Sequence, residues 1–151
     1  MKLLKSVLLI STLLITSVVN AVAFSIEDAH VRATPPHAKN SAAFMKINNN
    51  SDSALKLISA SSDIADRVEL HSHIMSDGMM KMRQVDAIDI DANGQVELRP
   101  GSFHVMFLGL KSPLVEGNKV KIKLYFNNGD EIIIDAPVKK IMMKKKMSHS
   151  S

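Results

Sequence analysis

Methionine and histidine are the residues of this sequence whose types and spacing could do chemistry, because thioether and imidazole groups bind soft and borderline metal ions. The chain contains 10 Met, and four of them surround one polar turn: Met75, Met79, Met80 and Met82. Methionine often fills gaps in cores, and Met45, which has apolar neighbours at alternate positions, is expected to do so. Four Met around a Ser-Asp-Gly turn are hard to bury, so a ligand role is favoured for them.

Two further donors, His104 and Met106, are spaced two residues apart in an apolar run. Because side chains alternate between the two faces of a strand, this imidazole and this thioether should share one face. Phe103, Val105 and Phe107 should then face the opposite way. One strand is therefore expected to present both donors side by side.

The remaining donors lie on either side of the Ser-Asp-Gly turn. His71 precedes the turn and Met82 follows it, so a hairpin that folds back there can bring these two side chains to one point. His73 shares a face with His71, however, and Met80 shares a face with Met82. Spacing alone therefore leaves two candidates for each of these positions.

The ligand types indicate monovalent copper. The sequence has no Cys, which excludes a blue-copper site, since that centre needs one thiolate with two imidazoles. Zinc would favour Cys, His or carboxylate, and calcium or magnesium needs oxygen ligands, whereas neutral thioether and imidazole groups favour Cu(I). No nucleophile, acid and base are grouped in the sequence, so we predict a binding protein and not an enzyme.

The N-terminal residues predict export. Lys2 and Lys5 precede an apolar run over residues 8–19, and small residues at 21–23 suit a cleavage site. Residues 1–23 are therefore expected to be a signal peptide that is removed from the mature protein. The apolar run is too short for a spanning helix, and no Cys follows that could carry a lipid, so no stable membrane anchor is expected.

Residues 24–138 are predicted to form one all-β domain, because short apolar or alternating runs are separated by turn residues. The predicted strands cover residues 29–33, 42–48, 55–60, 67–75, 79–85, 95–98, 103–110, 120–126 and 131–136. Three hairpins are predicted at dipeptides that readily adopt the positive φ of tight turns, namely Asp77-Gly78, Asn93-Gly94 and Asn128-Gly129. The prolines within residues 34–36 and 99–101 predict loops at the ends of a sandwich.

Charge is distributed unevenly along the chain. The formal net charge is +4, but residues 24–138 contain all 15 acidic and only 12 of the 19 basic side chains, a net charge of −3. A nucleic-acid-binding surface needs a basic patch on the folded domain. No nucleic-acid partner is therefore expected.

Residues 139–151 are rich in Lys, Met, Ser and His and are predicted to form a flexible tail. The tail contains four soft donors that could bind a second copper ion: Met142, Met143, Met147 and His149. The alternative is a basic tail that is solvated or attracted to membranes. A tail site should be the weaker one, because ordering a flexible segment on binding costs entropy.

The spacing of the donors resembles the copper motif of the periplasmic PCu(A)C copper chaperones: His71, ten residues, Met82, twenty-one residues, His104, one residue, Met106. Words around the donors are also similar, over about residues 28–138: Arg32-Ala33-Thr34-Pro35-Pro36, Val68-Glu69-Leu70-His71, Met80-Lys81-Met82-Arg83, and Gly101-Ser102-Phe103-His104-Val105-Met106 leading to Gly109-Leu110-Lys111. The resemblance selects His71 over His73 and Met82 over Met80. Many members have Met directly after the first His, where this chain has Ser72, so a fifth donor is missing there.

The resemblance implies a cupredoxin-like Greek-key β-sandwich that binds Cu(I) near one end of the domain. It also implies a carrier in the periplasm whose partners donate or accept copper during assembly of the copper centre of cytochrome c oxidase. A monomer is expected. Sequestration of copper for tolerance is the alternative function that the sequence leaves open.

Overall fold

Ten β-strands make up the fold in the computed structural model, which describes residues 24–140. The strands are β1 (Phe24–Arg32), β2 (Asn40–Asn49), β3 (Leu55–Ser61), β4 (Ala65–Ser76), β5 (Met79–Gln84), β6 (Ile88–Ile90), β7 (Gln95–Leu98), β8 (His104–Leu110), β9 (Lys119–Phe126) and β10 (Glu131–Lys139). The described residues form no helix, and hence none long and apolar enough to cross a membrane. The all-β prediction is confirmed. The predicted signal peptide, residues 1–23, and the four predicted tail donors lie outside the described residues.

The strands form two layers that are joined through β1 and β10. The first sheet has the order β5-β4-β8-β2-β1, with β7 also paired to β2, and the second has the order β10-β9-β3-β6. β1 and β10 run parallel, with Val31 opposite Val138. Between the layers, the rings of Phe24 and Phe126 lie 4.3 Å apart in the apolar core. The result is an open β-sandwich in which β8 is flanked on both sides and β5 lies at an edge.

Alternation along the strands separates the core from the outer face of the first sheet. In β8, Val105 and Phe107 are fully buried in the core. His104 and Met106 alternate with them and therefore lie on the outer face, as the two-residue spacing predicted. Met45 of β2 is only 2% exposed and belongs to the core, in agreement with the gap-filling role expected for it.

Two of the three predicted hairpins occur. The Asp77-Gly78 turn joins the paired strands β4 and β5, and its two residues have positive φ values of 53° and 74°. The Asn128-Gly129 turn joins the paired strands β9 and β10. The first of these hairpins matters for function, because it folds the methionines of β5 back against the histidines of β4.

The prediction of a hairpin at Asn93-Gly94 is wrong. This turn connects β6, which pairs with β3 in the second sheet, to β7, which pairs with β2 in the first sheet. The chain therefore crosses between the layers here, although Asn93 does adopt a positive φ of 51°. The sequence did not predict β6, because three residues are too short a run to show alternation.

β1 is longer than predicted. It begins at Phe24, whereas the predicted strand began at residue 29. A register shift between Glu27 and His30 and a positive φ of 52° at Asp28 interrupt the strand. A bulge of this kind breaks the alternation of side chains from which strands are predicted.

Candidate metal centre

Antiparallel pairing between β4 and β8 sets two histidines directly opposite each other. His71 of β4 is the register partner of His104 of β8, and the centres of their rings lie 5.8 Å apart. Two residues further along the ladder, Glu69 is opposite Met106. Because partners in a ladder share one face of a sheet, these four side chains lie together on the outer face of the first sheet.

The β4–β5 hairpin brings methionines to the same face. Its register pairs His73 with Met82 and Met75 with Met80. The ring centre of His73 lies 5.3 Å from that of His104. The structure therefore brings all four predicted donors to one face, but it also brings the two alternative donors, His73 and Met80, to that face.

A cavity of about 360 Å³ opens on this face of the first sheet. It is lined by Arg32, Asn40, Ser41, Ala42, Phe44, His73, Met82, Pro100, Gly101, His104 and Met106. His71 is not part of this lining. The cavity thus favours His73 as the neighbour of His104, whereas the strand register favours His71.

His104 is held in place by burial and by one hydrogen bond. The residue is only 2% exposed, and its Nδ1 lies 3.0 Å from the carbonyl oxygen of Ser102. Because a carbonyl oxygen can only accept, Nδ1–H donates this bond and Nε2 keeps a free lone pair. Burial lowers the pKa of His104, and the bond to Ser102 opposes that effect. Electrostatic repulsion from the neighbouring His73, His71 and Arg32 lowers the pKa of His104 further, so the neutral form that binds metals is favoured.

His71 is oriented by a carboxylate. Its Nε2 lies 2.8 Å from Oε2 of Glu69, so Nε2–H donates to the carboxylate. Its other ring nitrogen, Nδ1, is the one buried side-chain nitrogen or oxygen among the described residues that lacks a hydrogen-bond partner. A buried polar atom without a partner costs free energy. Histidine ligands commonly hold a carboxylate with one nitrogen and a metal with the other, and the free Nδ1 of His71 fits that arrangement.

The methionines of the hairpin are exposed, as their polar surroundings predicted. The exposed fractions are 67% for Met75, 59% for Met79, 54% for Met80 and 43% for Met82. Met79 differs from the other three, because its register partner is Ser76 and its side chain belongs to the opposite face of the hairpin. A role in filling the core therefore does not apply to these four residues.

The outer face offers imidazole nitrogen and thioether sulfur at short range. Within residues 24–140, no three His, Cys, Asp or Glu side chains are grouped closely enough to hold a metal ion. Two imidazoles together with two thioethers form a neutral donor set, and the sulfur atoms give it the soft character that Cu(I) favours. The arrangement can therefore bind a soft monovalent ion without a thiolate or a carboxylate ligand.

Sequence reasoning missed two residues that position the histidines, Glu69 and Ser102. Glu69 could have been found, because it precedes His71 by two residues in a strand and must share its face. Ser102 contributes its backbone carbonyl oxygen. Because every residue has such a carbonyl, no side-chain pattern could have indicated it.

Solved structures share this architecture. The copper-bound PCuAC domain from PmoF2 matches with a TM-score of 0.68 at 23% identity, covering 80% of this chain and 95% of that domain, a likeness that shows the fold. The structure of DR1885 from Deinococcus radiodurans in its Cu(I) form matches with a TM-score of 0.66 at 35% identity, covering 81% of this chain and 82% of that one. The chain is thus a cupredoxin-like β-sandwich of the PCuAC type, as the motif resemblance implied.

Residues 24–138 match the family described as "Putative lipoprotein LpqE-like". Because this match covers most of the chain, the protein belongs to the LpqE-like family. A relative from Leifsonia xyli subsp. xyli, "Putative lipoprotein Lxx21020", is 31% identical over 99 residues, which are 65% of this chain and 60% of the relative. The chain therefore spans less than two thirds of that relative's length.

Proposed function

We propose that this chain is a copper chaperone that binds Cu(I) through His71, Met82, His104 and Met106. The observation that carries the proposal is the placement of His71 directly opposite His104, on a face that also holds both thioethers. The likeness to DR1885, which was solved in its Cu(I) form, supports copper as the cargo. The protein acts as a carrier in this proposal and catalyses no reaction.

The second imidazole has two candidates, and we favour His71. Its Nδ1 is buried and unpartnered while Glu69 holds Nε2, so the ring is already oriented with one lone pair free. The Nδ1 of His73 lies 3.4 Å from the carbonyl oxygen of Ser102. His73 nevertheless lines the cavity and pairs with Met82, so it is the alternative that an experiment must separate from His71.

Exposure of Met82 gives the proposed site a route for exchange. Met82 is 43% exposed on an edge strand, whereas His104 is 2% exposed. A ligand from an acceptor protein can approach the sulfur side of the ion while the imidazoles still hold it. Because all the donors are neutral, release needs no proton to be taken up.

The cellular setting is part of the same proposal. Residues 1–23 direct export to the periplasm, residues 24–138 form the copper-binding domain, and the mature monomer exchanges Cu(I) with proteins that assemble the copper centre of cytochrome c oxidase. Residues 139–151 form a tail with a second, weaker copper site at Met142, Met143, Met147 and His149. Resemblance to the PCu(A)C chaperones and the N-terminal apolar run support these assignments.

The proposed site is tested by titrating the mature protein with Cu(I) against a competing chelator. One tight equivalent is expected, and replacing His104 and Met106 together with Ala should abolish it while circular dichroism shows that the sandwich remains folded. His30→Ala is the matched control, because His30 also lies in the first sheet but hydrogen-bonds the backbone of Asp28. Unchanged binding in the double variant would overturn the proposal.

The choice of imidazole is tested with His71→Ala and His73→Ala in the same titration. The first substitution should remove the tight equivalent and the second should leave most of the affinity. The opposite result would assign the ligand role to His73 and leave Glu69 without a part in binding.

Delivery and sequestration are separated in cells that lack the gene. Delivery predicts a loss of cytochrome c oxidase activity at limiting copper, which added copper restores. Normal oxidase activity together with heightened sensitivity to copper would instead establish sequestration.

A further inference from the structure

A second pair of thioethers lies between the tip of the β4–β5 hairpin and the candidate metal centre. Met75 and Met80 are register partners, one pair beyond His73 and Met82 in the direction of the turn. Both are more than half exposed. The proposed four-donor site uses neither of them, although Met80 is the alternative to Met82 there, and they contribute nothing to the core.

The register of the hairpin places successive cross-strand residue pairs at regular distances along the two strands. Directly opposite residues have Cβ atoms about 5 Å apart, which lets two long methionine side chains meet at one ion. Positions two residues apart along a strand are separated by about 7 Å. Met75 and Met80 therefore lie one such step along the hairpin from His73 and Met82, which line the cavity together with His104.

Where β4 and β5 pair, over residues 71–76 and 79–84, this face of the hairpin carries no Lys or Arg side chain. The two cationic residues of β5 are Lys81, which pairs with Ile74, and Arg83, which pairs with Ser72. Both positions alternate with the methionines and so belong to the opposite face. Lys81 is further occupied by an ion pair with Asp77 at the tip. A monovalent cation beside Met75 and Met80 therefore meets thioethers and imidazoles without an adjacent ammonium or guanidinium group from the paired part of the hairpin.

We propose that Met75 and Met80 form a separate, weaker Cu(I) site that loads and unloads the main site. The inference rests on the proposed function, since it supplies the route to that site. Copper stays monovalent throughout: each step exchanges one neutral thioether for another or for an imidazole, and no electron or proton is transferred. Two exposed sulfur atoms alone hold the ion loosely, which suits a site for transfer.

The test follows individual methionine methyl groups by NMR in the mature full-length chain, labelled with 13C at the methionine methyl and titrated anaerobically with Cu(I). The first equivalent should shift the signals of Met82 and Met106. Further Cu(I) should shift Met75 and Met80 in fast exchange, whether or not the tail methionines also shift, and leave Met79 unmoved. Met79 is the matched control, because its exposure is similar to that of Met80 in the same strand but it lies on the other face.

Variants sharpen this result. Met75→Leu with Met80→Leu keeps the size and apolar character of both side chains and removes only the sulfur atoms. The double variant should retain the first equivalent, lose the weaker site on the hairpin, and load more slowly from a Cu(I)–chelator complex in stopped-flow measurements. Met79→Leu should match the unmodified protein in all three respects.

Two failures can be told apart. If the first equivalent binds normally but Met75 and Met80 do not shift, or if the double variant loads as fast as Met79→Leu, the further inference is wrong and the main site stands. If Met82, His104 and Met106 show no tight binding at all, the proposed function itself fails, whatever the hairpin methionines do.

Discussion

The candidate metal centre has two halves that differ in how firmly they are built. His104 and Met106 stand on β8, which is paired on both sides and anchored from behind by Val105 and Phe107 in the core. Met82 stands on β5, an edge strand paired only with β4, and no large apolar side chain of β5 is buried. One half is thus fixed by the fold, and the other is fixed only by a hairpin.

This difference separates retention from exchange. Ligands on a packed central strand keep their geometry when the metal leaves, so their preorganisation favours binding. Ligands on an exposed edge can be displaced by an incoming partner with little disturbance of the core. Substitutions in the two halves should therefore have different effects on copper affinity and on stability.

The largest effect is expected for His104→Ala, in the fixed half. Removal of the buried ring takes away a ligand, leaves a cavity and removes the shorter of the two hydrogen bonds to the carbonyl oxygen of Ser102. The tight binding of Cu(I) should therefore be lost, and the free energy of unfolding of the apoprotein should fall by about 2 kcal/mol. Chelator competition and urea unfolding measure the two quantities. An unchanged free energy of unfolding in this variant would show that β8 does not anchor the site.

The next effect is expected for Glu69→Ala, which removes the acceptor that orients His71. Loss of such a supporting carboxylate typically weakens metal binding by about ten- to a hundredfold. Glu69→Gln keeps an acceptor oxygen for Nε2–H of His71 and should recover part of the affinity. If both variants bind Cu(I) as tightly as the unmodified protein, Glu69 has no part in copper binding.

A smaller effect is expected for Met82→Leu, in the exposed half. The affinity for Cu(I) should fall by about tenfold, or about 1.4 kcal/mol of binding free energy. The free energy of unfolding should stay within about 0.5 kcal/mol, because surface substitutions rarely change it more. Met79→Leu is the control. A large loss of stability in Met82→Leu would erase the contrast between the two halves.

The smallest effect is expected from truncation after Lys140. Lys139 ends β10 and Lys140 pairs with Glu116, so the cut removes the tail donors without shortening a strand. The tight Cu(I) site should keep its affinity, and only the weak copper binding of the tail should be lost. Disappearance of all copper binding would make the tail the principal site.

Much of this molecule could be predicted from its sequence, because alternation reports which face a side chain occupies. That rule placed His104 with Met106, and it assigned Met45 to the core. The same rule could not choose between His71 and His73, since residues two apart in a strand always share a face. It also missed β6 and the crossover at Asn93, because pairing between distant strands leaves no trace in a three-residue run.

The parallel pairing of β1 with β10 also governs where the chain leaves the sandwich. Lys139 is the register partner of Arg32, which lines the cavity, so the two backbones are about 5 Å apart there. A tail donor at Met142 would be joined to Lys139 by three residues, which span about 10 Å at most. A ligand group on so short a tether has a local concentration on the order of millimolar. If the tail binds copper as proposed, we expect even a weak donor there to compete with ligands from a partner protein.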